Sequence, residues 1–105
     1  MTRVVAFVPD LMDRSKVAAA AEGRVRFVSS PAELVVAGAE ADLVVVDLGR
    51  PAVMAMLGEV TAGRSRVIAF GSHVDGDTLA AARSAGCDEV LARSAFFSDL
   101  EALLA

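Results

Sequence analysis

The feature that most constrains the fold is an unbroken aliphatic segment in the middle of the chain. Residues 41–48 read Ala-Asp-Leu-Val-Val-Val-Asp-Leu, and Gly49, Arg50 and Pro51 follow. An apolar segment without polar alternation is typical of a strand covered on both faces, as in a parallel sheet with helices on each side. The segment therefore predicts a central strand with Asp47 at its carboxyl end, the edge at which open α/β sheets bind ligands.

Four other short apolar segments predict further strands, and amphipathic or alanine-rich segments separate them. With the central one, the predicted strands lie within residues 3–8, 24–28, 41–48, 66–70 and 88–92. Strict alternation of strand and helix with short turns favours right-handed crossovers and a parallel sheet. We expect residues 1–105 to form a single α/β domain with three layers, doubly wound and flavodoxin-like, with strand order 2-1-3-4-5.

Capping signals predict where the helices begin. Ser30-Pro31-Ala32-Glu33 and Ser98-Asp99-Leu100-Glu101 both match a capping box, in which the first side chain accepts a hydrogen bond from the backbone three residues on. Asp13 or Ser15 is the candidate N-cap of the first helix, and Asp10 is either an N-cap of that helix or a metal ligand.

Composition excludes several classes of protein. The net charge is −4, the basic residues are scattered and Phe is the only aromatic residue type, so we expect no nucleic-acid partner. The single cysteine, Cys87, cannot form an intramolecular disulfide, and the chain shows no leader or membrane span. We expect a cytoplasmic protein without a membrane partner. Because no nucleophile-base pair, phosphate loop or metal-ligand spacing is present, we also expect no enzymatic activity.

Three pieces of the sequence resemble the receiver domain of bacterial two-component response regulators. Asp47-Leu48-Gly49-Arg50-Pro51 is similar to the phosphoacceptor stretch with its proline four residues on. Residues 81–91, Ala-Ala-Arg-Ser-Ala-Gly-Cys-Asp-Glu-Val-Leu, are similar to the fourth helix and fifth strand, and residues 96–103 to the closing helix. The resemblance covers nearly the whole chain, and the middle piece is its most specific part.

The resemblance implies a phosphoacceptor and a metal site. The acceptor role falls on Asp47. The acidic pair that holds Mg²⁺ in the family falls on Pro9 and Asp10, so only one of the two acids is present. Asp10 and Asp47 are therefore expected to bind Mg²⁺ weakly, and no other cofactor is expected.

Other positions depart further from the family pattern. The hydroxyl position falls on Gly71, with Ser72 one residue later, and the lysine position is Arg93, followed by Ser94 where the family usually has a proline. A planar guanidinium at position 93 can pair with Asp47 and neutralise it without a metal. We therefore interpret the chain as similar to a degenerate receiver, or pseudo-receiver, that signals through protein–protein interaction.

Two alternative functions stay open at this point. In the first, Asp47 is phosphorylated with weakly bound Mg²⁺; its structural alternatives are pairing with Arg93 or capping the third helix. In the second, the strand-end crevice binds a small anion or metabolite. The candidate crevice residues are Asp10, Ser72, His73, Arg93 and Ser94.

The resemblance also implies an interaction face. Receiver-like domains usually signal through the surface made by the fourth helix, the fifth strand and the fifth helix. The candidate residues on that face are Ala82, Ala85, Phe96 and Phe97, and the expected occupant is a protein partner or a second copy of the chain.

Overall fold

A sheet of five parallel strands forms the centre of the structure. The structure is a computed structural model that describes residues 2–105. The strands are β1 (Val4–Phe7), β2 (Val25–Phe27), β3 (Leu43–Asp47), β4 (Arg66–Gly71) and β5 (Glu89–Ala92). Their order is β2-β1-β3-β4-β5, and each neighbouring pair is parallel. The predicted doubly wound sheet with strand order 2-1-3-4-5 is confirmed.

Helices connect the strands, and two of the predicted helices are each divided in two. The helices are α1 (Leu11–Ala20), α2 (Pro31–Gly38), α3 (Pro51–Met54), α4 (Leu57–Thr61), α5 (Gly76–Ser84), α6 (Arg93–Ser98) and α7 (Leu100–Leu103). The predicted third helix is therefore α3 with α4, the predicted fourth is α5, and the closing one is α6 with α7. Across residues 2–105, no helix has the length and apolar character needed to cross a bilayer.

Alternation along β3 explains the three layers. Leu43 and Val45 face one side of the sheet and pack with residues of α1, α6 and α7. Val44 and Val46 face the other side and pack with residues of α2 to α5. All four are at most 3% exposed, as expected for a strand covered on both faces.

Two of the predicted helix caps are confirmed and two are wrong. Ser30 Oγ accepts a hydrogen bond from the Glu33 amide at 3.2 Å, which confirms the capping box of α2. The N-cap of α1 is Asp10, whose Oδ1 accepts a hydrogen bond from the Asp13 amide at 2.9 Å. This confirms the N-cap alternative for Asp10, and the assignment of the cap to Asp13 or Ser15 is wrong.

The predicted capping box at Ser98 is also wrong. Ser98 is the last residue of α6, and its hydroxyl donates back to the Ala95 carbonyl at 3.1 Å. Phe96, where the predicted closing helix begins, lies inside α6, and its ring is buried against the sheet.

Ser65 ties the start of β4 to the turn before β3. Its buried hydroxyl lies 2.5 Å from the Gly38 carbonyl oxygen and 2.6 Å from the Ala41 carbonyl oxygen, and it shares its one hydrogen between them. The contact joins segments that are more than 20 residues apart in sequence. A buried hydroxyl with its hydrogen bonds satisfied stabilises the folded state, whereas a buried carbonyl that loses its donor destabilises it.

We expect Ser65→Ala to lower the free energy of unfolding by about 1–2 kcal/mol, because the two carbonyls lose their donor. Urea denaturation followed by circular dichroism measures the change. Ser98→Ala is the matched control: its hydroxyl is exposed, so the change should stay below about 0.5 kcal/mol. Equal effects of the two substitutions would show that the Ser65 hydroxyl has no special role.

Candidate functional site

Asp47 lies at the carboxyl end of β3, where the sequence placed it. It follows Leu43 and Val45 in the alternation of the strand, so its side chain faces the side of the sheet that carries α1 and α6. The residue is 8% exposed, and its Oδ1 accepts a hydrogen bond from the Gly49 amide at 2.8 Å. A Cβ at Gly49 would lie 3.1 Å from that oxygen, so the missing side chain allows this close approach.

Burial dominates the protonation behaviour of Asp47. Loss of solvent raises the pKa of the carboxyl group above its ordinary value of 3.8. The hydrogen bond from Gly49 and the charges of Arg93 and Arg50 lower the pKa, and the neighbouring Asp13 carboxylate raises it, but the net direction is upward. The site therefore favours the neutral form of Asp47 more than water does.

An ion pair between Arg93 and Asp13 lies at the same edge. Arg93 is the first residue of α6, directly after β5, and Asp13 lies in the first turn of α1. Arg93 Nη2 donates to Asp13 Oδ1 at 2.9 Å, and the side chains are 45% and 5% exposed, respectively. The hydrogen bond with Asp13 raises the pKa of Arg93, as do the charges of Asp47 and Asp10. The Arg93 guanidinium thus lies near three carboxylates and is hydrogen-bonded to one of them, Asp13.

Aromatic rings orient the Arg93 side chain. Phe70 stacks on Phe96 with ring centroids 4.3 Å apart, and Phe97 packs edge-on against both rings. The Arg93 guanidinium lies 5.6 Å from the Phe70 centroid and 5.2 Å from the Phe97 centroid. Because a guanidinium packs favourably on an aromatic face, these rings direct it toward α1.

The predicted pair between Arg93 and Asp47 is wrong. The guanidinium lies over the rings of α6 and β4 and reaches the first turn of α1, where Asp13 accepts its hydrogen bond. Asp47 is held at the strand end by the Gly49 amide, and it interacts with Arg93 only through the field of its charge. The alternative role of Asp47 as a cap is wrong too, because Arg50 is the N-cap residue of α3 and makes no side-chain capping bond.

Asp10 lies on the same edge but has a structural task. Its exposed carboxylate caps α1 through the Asp13 amide. Within residues 2–105, no three or more His, Cys, Asp or Glu side chains are arranged to hold a metal ion. The third carboxylate nearby, Asp13, is paired with a guanidinium, which repels a divalent cation. The residues therefore fit Mg²⁺ poorly, and weak binding by Asp10 and Asp47 stays a prediction.

The remaining crevice candidates lie on the rim. Ser72, His73 and Ser94 are exposed. Ser72 Oγ accepts a hydrogen bond from the Val74 amide at 3.4 Å, so it serves the local turn. None of the described hydrogen bonds joins these three residues to Arg93 or Asp47. An anion or metabolite site here stays a prediction.

Half of the predicted interaction face is buried. Ala82 and Phe96 are both 0% exposed: Ala82 packs with the core on one side of the sheet, and Phe96 stacks on Phe70 on the other. They cannot contact a partner, so their assignment to that face is wrong. Ala85 and Phe97 are half-buried, and their role in an interface stays a prediction.

Sequence reasoning missed Asp13 as a member of the site. The available signal was the pair Asp10 and Asp13, which places an acid at the N-cap and a second acid in the first helical turn three residues later. Starting α1 at Asp10 puts Asp13 above the strand ends. A helix that begins at Asp13 or Ser15 hides this position, and only the alternative N-cap at Asp10 reveals it.

We expect Arg93→Ala to lower the free energy of unfolding by about 1–2 kcal/mol, because it leaves the buried Asp13 carboxylate unpaired while the exposed guanidinium is partly screened by solvent. Combined with Asp13→Asn in a double-mutant cycle, the coupling energy should be about 1 kcal/mol. Arg64→Ala, an exposed site, is the control for loss of one positive charge. Additive single effects would show that the ion pair contributes nothing.

We expect Asp47→Asn to stabilise the protein at pH 7. The folded-state pKa of Asp47 is raised, so ionisation weakens the folded state, and the wild type loses stability as the pH rises from 3.8 through the raised pKa. Asparagine keeps an oxygen for the Gly49 amide and carries no charge. Thermal melts between pH 3 and pH 8 should show a difference that disappears in acid. A variant that is less stable at pH 7 would contradict the raised pKa.

Sequence comparison and structural comparison give different results. No protein-family model matches the chain, and no curated protein matches it. Solved structures do match. The BeF3-activated receiver domain of DrrB has a TM-score of 0.81 at 18% identity, over 99% of this chain and 94% of that one.

Two other matches come from Pseudomonas aeruginosa. The receiver domain of a sensor histidine kinase, with a magnesium ion coordinated in its active-site cleft, has a TM-score of 0.79 at 16% identity, over 98% of this chain and 93% of that one. A CheY-like protein, tadZ, has a TM-score of 0.79 at 20% identity, over 99% and 97%. At these identities the likeness shows the fold, and the predicted resemblance is confirmed at that level: the chain has the fold of response regulator receiver domains.

Proposed function

We propose that this chain is a receiver-like signalling module that acts by binding other proteins, and that its strand-end crevice is held by an internal ion pair and is not switched by phosphorylation. The observation that carries the proposal is the contact between Arg93 and Asp13, 2.9 Å long and with a buried carboxylate. A receiver fold supports a signalling role, and the ion pair supports a pseudo-receiver form of it.

The charges around Asp47 support a fixed crevice. Phosphoryl transfer to a carboxylate gathers negative charge, which cations normally offset. Here the guanidinium nearest the crevice donates to Asp13, and that carboxylate adds negative charge beside Asp47. Burial raises the pKa of Asp47, so negative charge at this position is less favourable than in water. These three features each disfavour acceptance of a phosphoryl group.

Phosphorylation of Asp47 is the second candidate function, and the position of Asp47 in the sheet favours this function. Asp47 ends the central strand at the edge where ligands bind, and Arg50 and Arg93 both lower its pKa. The DrrB and histidine-kinase receivers, a BeF3-activated form and a magnesium-bound form, have the same fold. In this candidate function, Asp10 and Asp47 would hold the Mg²⁺ ion.

We also propose where the protein acts and what it binds. The proposal places the chain in a bacterial cytoplasm as a non-enzymatic module, with a protein partner or a second copy of the chain as its target. The resemblance to receiver domains and the acidic composition, with a net charge of −4, support this setting.

We expect acetyl phosphate or beryllofluoride with Mg²⁺ to leave the protein unchanged. Intact-mass spectrometry should show no added phosphoryl group, and amide NMR spectra should show no shifts around Asp47. Asp47→Asn, which keeps the size of the side chain, identifies any modification at another residue. Stoichiometric modification of the wild type that is absent from Asp47→Asn would overturn the proposal in favour of a working phosphoacceptor.

A further inference from the structure

Two adjoining hollows run along the side of the molecule formed by β2 and α2. One, of about 270 Å³, is lined by residues that include Arg3, Arg24 and Arg26. The other, of about 320 Å³, is lined by Arg26, Ala32, Glu33, Val36 and Ala37. Arg26 and Ala37 line both hollows. The two hollows therefore form one continuous groove, which we call the β2 groove. It lies on the opposite edge of the sheet from β5.

The edge of β2 offers unpaired backbone groups to this groove. The Val4 amide donates to the Arg24 carbonyl, and the Val28 amide donates to the Ala6 carbonyl, so these alternate residues of the β2 segment face β1. In a parallel ladder the residues between them, Val25 and Phe27, turn their amide and carbonyl groups to the other side. Among residues 2–105 no strand lies on that side, because β2 is the edge of the sheet. A free edge of this kind can pair with an added strand.

The charge of the β2 groove is opposite in sign to that of the whole chain. Within residues 2–105 the ion pairs are those of Arg66 with Glu89 and Arg93 with Asp13, so Arg3, Arg24 and Arg26 belong to none. The acids that line the groove are Glu33 and Glu40, and Glu33 is engaged by the Ser29 amide. The groove therefore carries a net positive charge on a chain whose net charge is −4.

The groove also has an apolar part. Val36 on α2 is 76% exposed, and it faces the hollow that Arg26 also lines. Ala32 and Ala37 lie beside it in the same hollow, and Arg26 completes the lining from β2. Arg26 and Val36 lie on the same side of the sheet, so they suit an added strand whose residues on that side include both acidic and apolar side chains.

We propose that the β2 groove binds an extended segment of another protein that pairs with the edge of β2 as an added strand and that presents both acidic and apolar side chains on its face toward α2. Carboxylates of this segment meet Arg3, Arg24 and Arg26, and its apolar side chains cover Val36. The inference rests on the proposed interaction role, but it does not depend on the state of Asp47. Nucleic acid is disfavoured because the only aromatic residue of β2, Phe27, lies under the Arg14 guanidinium at 5.3 Å and offers no free face for base stacking.

The test uses a fluorescein-labelled peptide of about eight residues, Glu-Thr-Val-Thr-Glu-Thr-Val-Thr, in which every second side chain, glutamate or valine, faces α2 when the peptide pairs with β2. Fluorescence anisotropy should show saturable binding to the full chain, and added salt should weaken it. Arg26→Glu should weaken binding by about fivefold, since it replaces one attraction with a repulsion. Arg64→Glu makes the same charge change on an exposed residue outside the groove, and it should have less than a twofold effect.

Amide hydrogen exchange locates the peptide. Binding should slow exchange at Val25 and Phe27, which are the residues whose amides face outward. Unchanged anisotropy up to about 1 mM peptide would overturn the proposal. Equal losses in Arg26→Glu and Arg64→Glu, protection at other strands, tighter binding of a single-stranded oligonucleotide, or a dimer that occupies the groove would each overturn it as well.

The two proposals fail in distinguishable ways. If beryllofluoride modifies Asp47 but the peptide still protects Val25 and Phe27, the fixed crevice is wrong and the β2 groove stands. If the peptide does not bind and Asp47 stays unmodified, the groove assignment is wrong and the fixed crevice stands. Asp47→Asn should bind the peptide as the wild type does, because residue 47 lies at the end of a central strand and not in the groove.

Discussion

The ion pair between Arg93 and Asp13 is the constraint on which the strand-end crevice depends. It joins the first turn of α1 to the first turn of α6, two elements that are 80 residues apart in sequence. The Asp13 carboxylate is almost fully buried, so separating the pair would leave a charge without solvent or partner. The guanidinium of Arg93 packs on the rings of Phe70 and Phe97. The crevice therefore has one favoured arrangement, and Asp47 lies beside it without joining it.

The sequence predicted the fold well because the decisive signals are local. The aliphatic run of β3 and the regular alternation of strands with helices are sufficient to predict a doubly wound sheet. The partner of Arg93 could not be predicted in the same way, because it depends on where α1 begins. An error of three residues in that start, from Asp10 to Asp13, moved the true partner out of the site. Packing decides whether Arg93 pairs with Asp13 or with Asp47. Phe70 and Phe97 provide that packing, because the guanidinium lies on their rings.

Surfaces were harder to predict than the core. Phe96 was assigned to an interface because the resemblance to receiver domains implies a partner face on the last helix, yet it is fully buried on Phe70. The arginines of the β2 groove, in contrast, were not predicted to form a partner surface. Arg3 and Arg24 are 21 residues apart in sequence and look scattered, and only the pairing of β1 with β2 brings them to one edge. Partner surfaces therefore follow from topology more than from local composition.

The fixed crevice can be tested by measuring motion at the strand ends. Relaxation-dispersion NMR on backbone amides detects exchange between arrangements on the microsecond-to-millisecond timescale. We expect flat dispersion profiles in the loops that follow β4 and β5, because the pair between Arg93 and Asp13 leaves no second arrangement with comparable free energy. Exchange in both loops of the unmodified protein, with a common rate, would show a crevice that switches, and it would contradict the account.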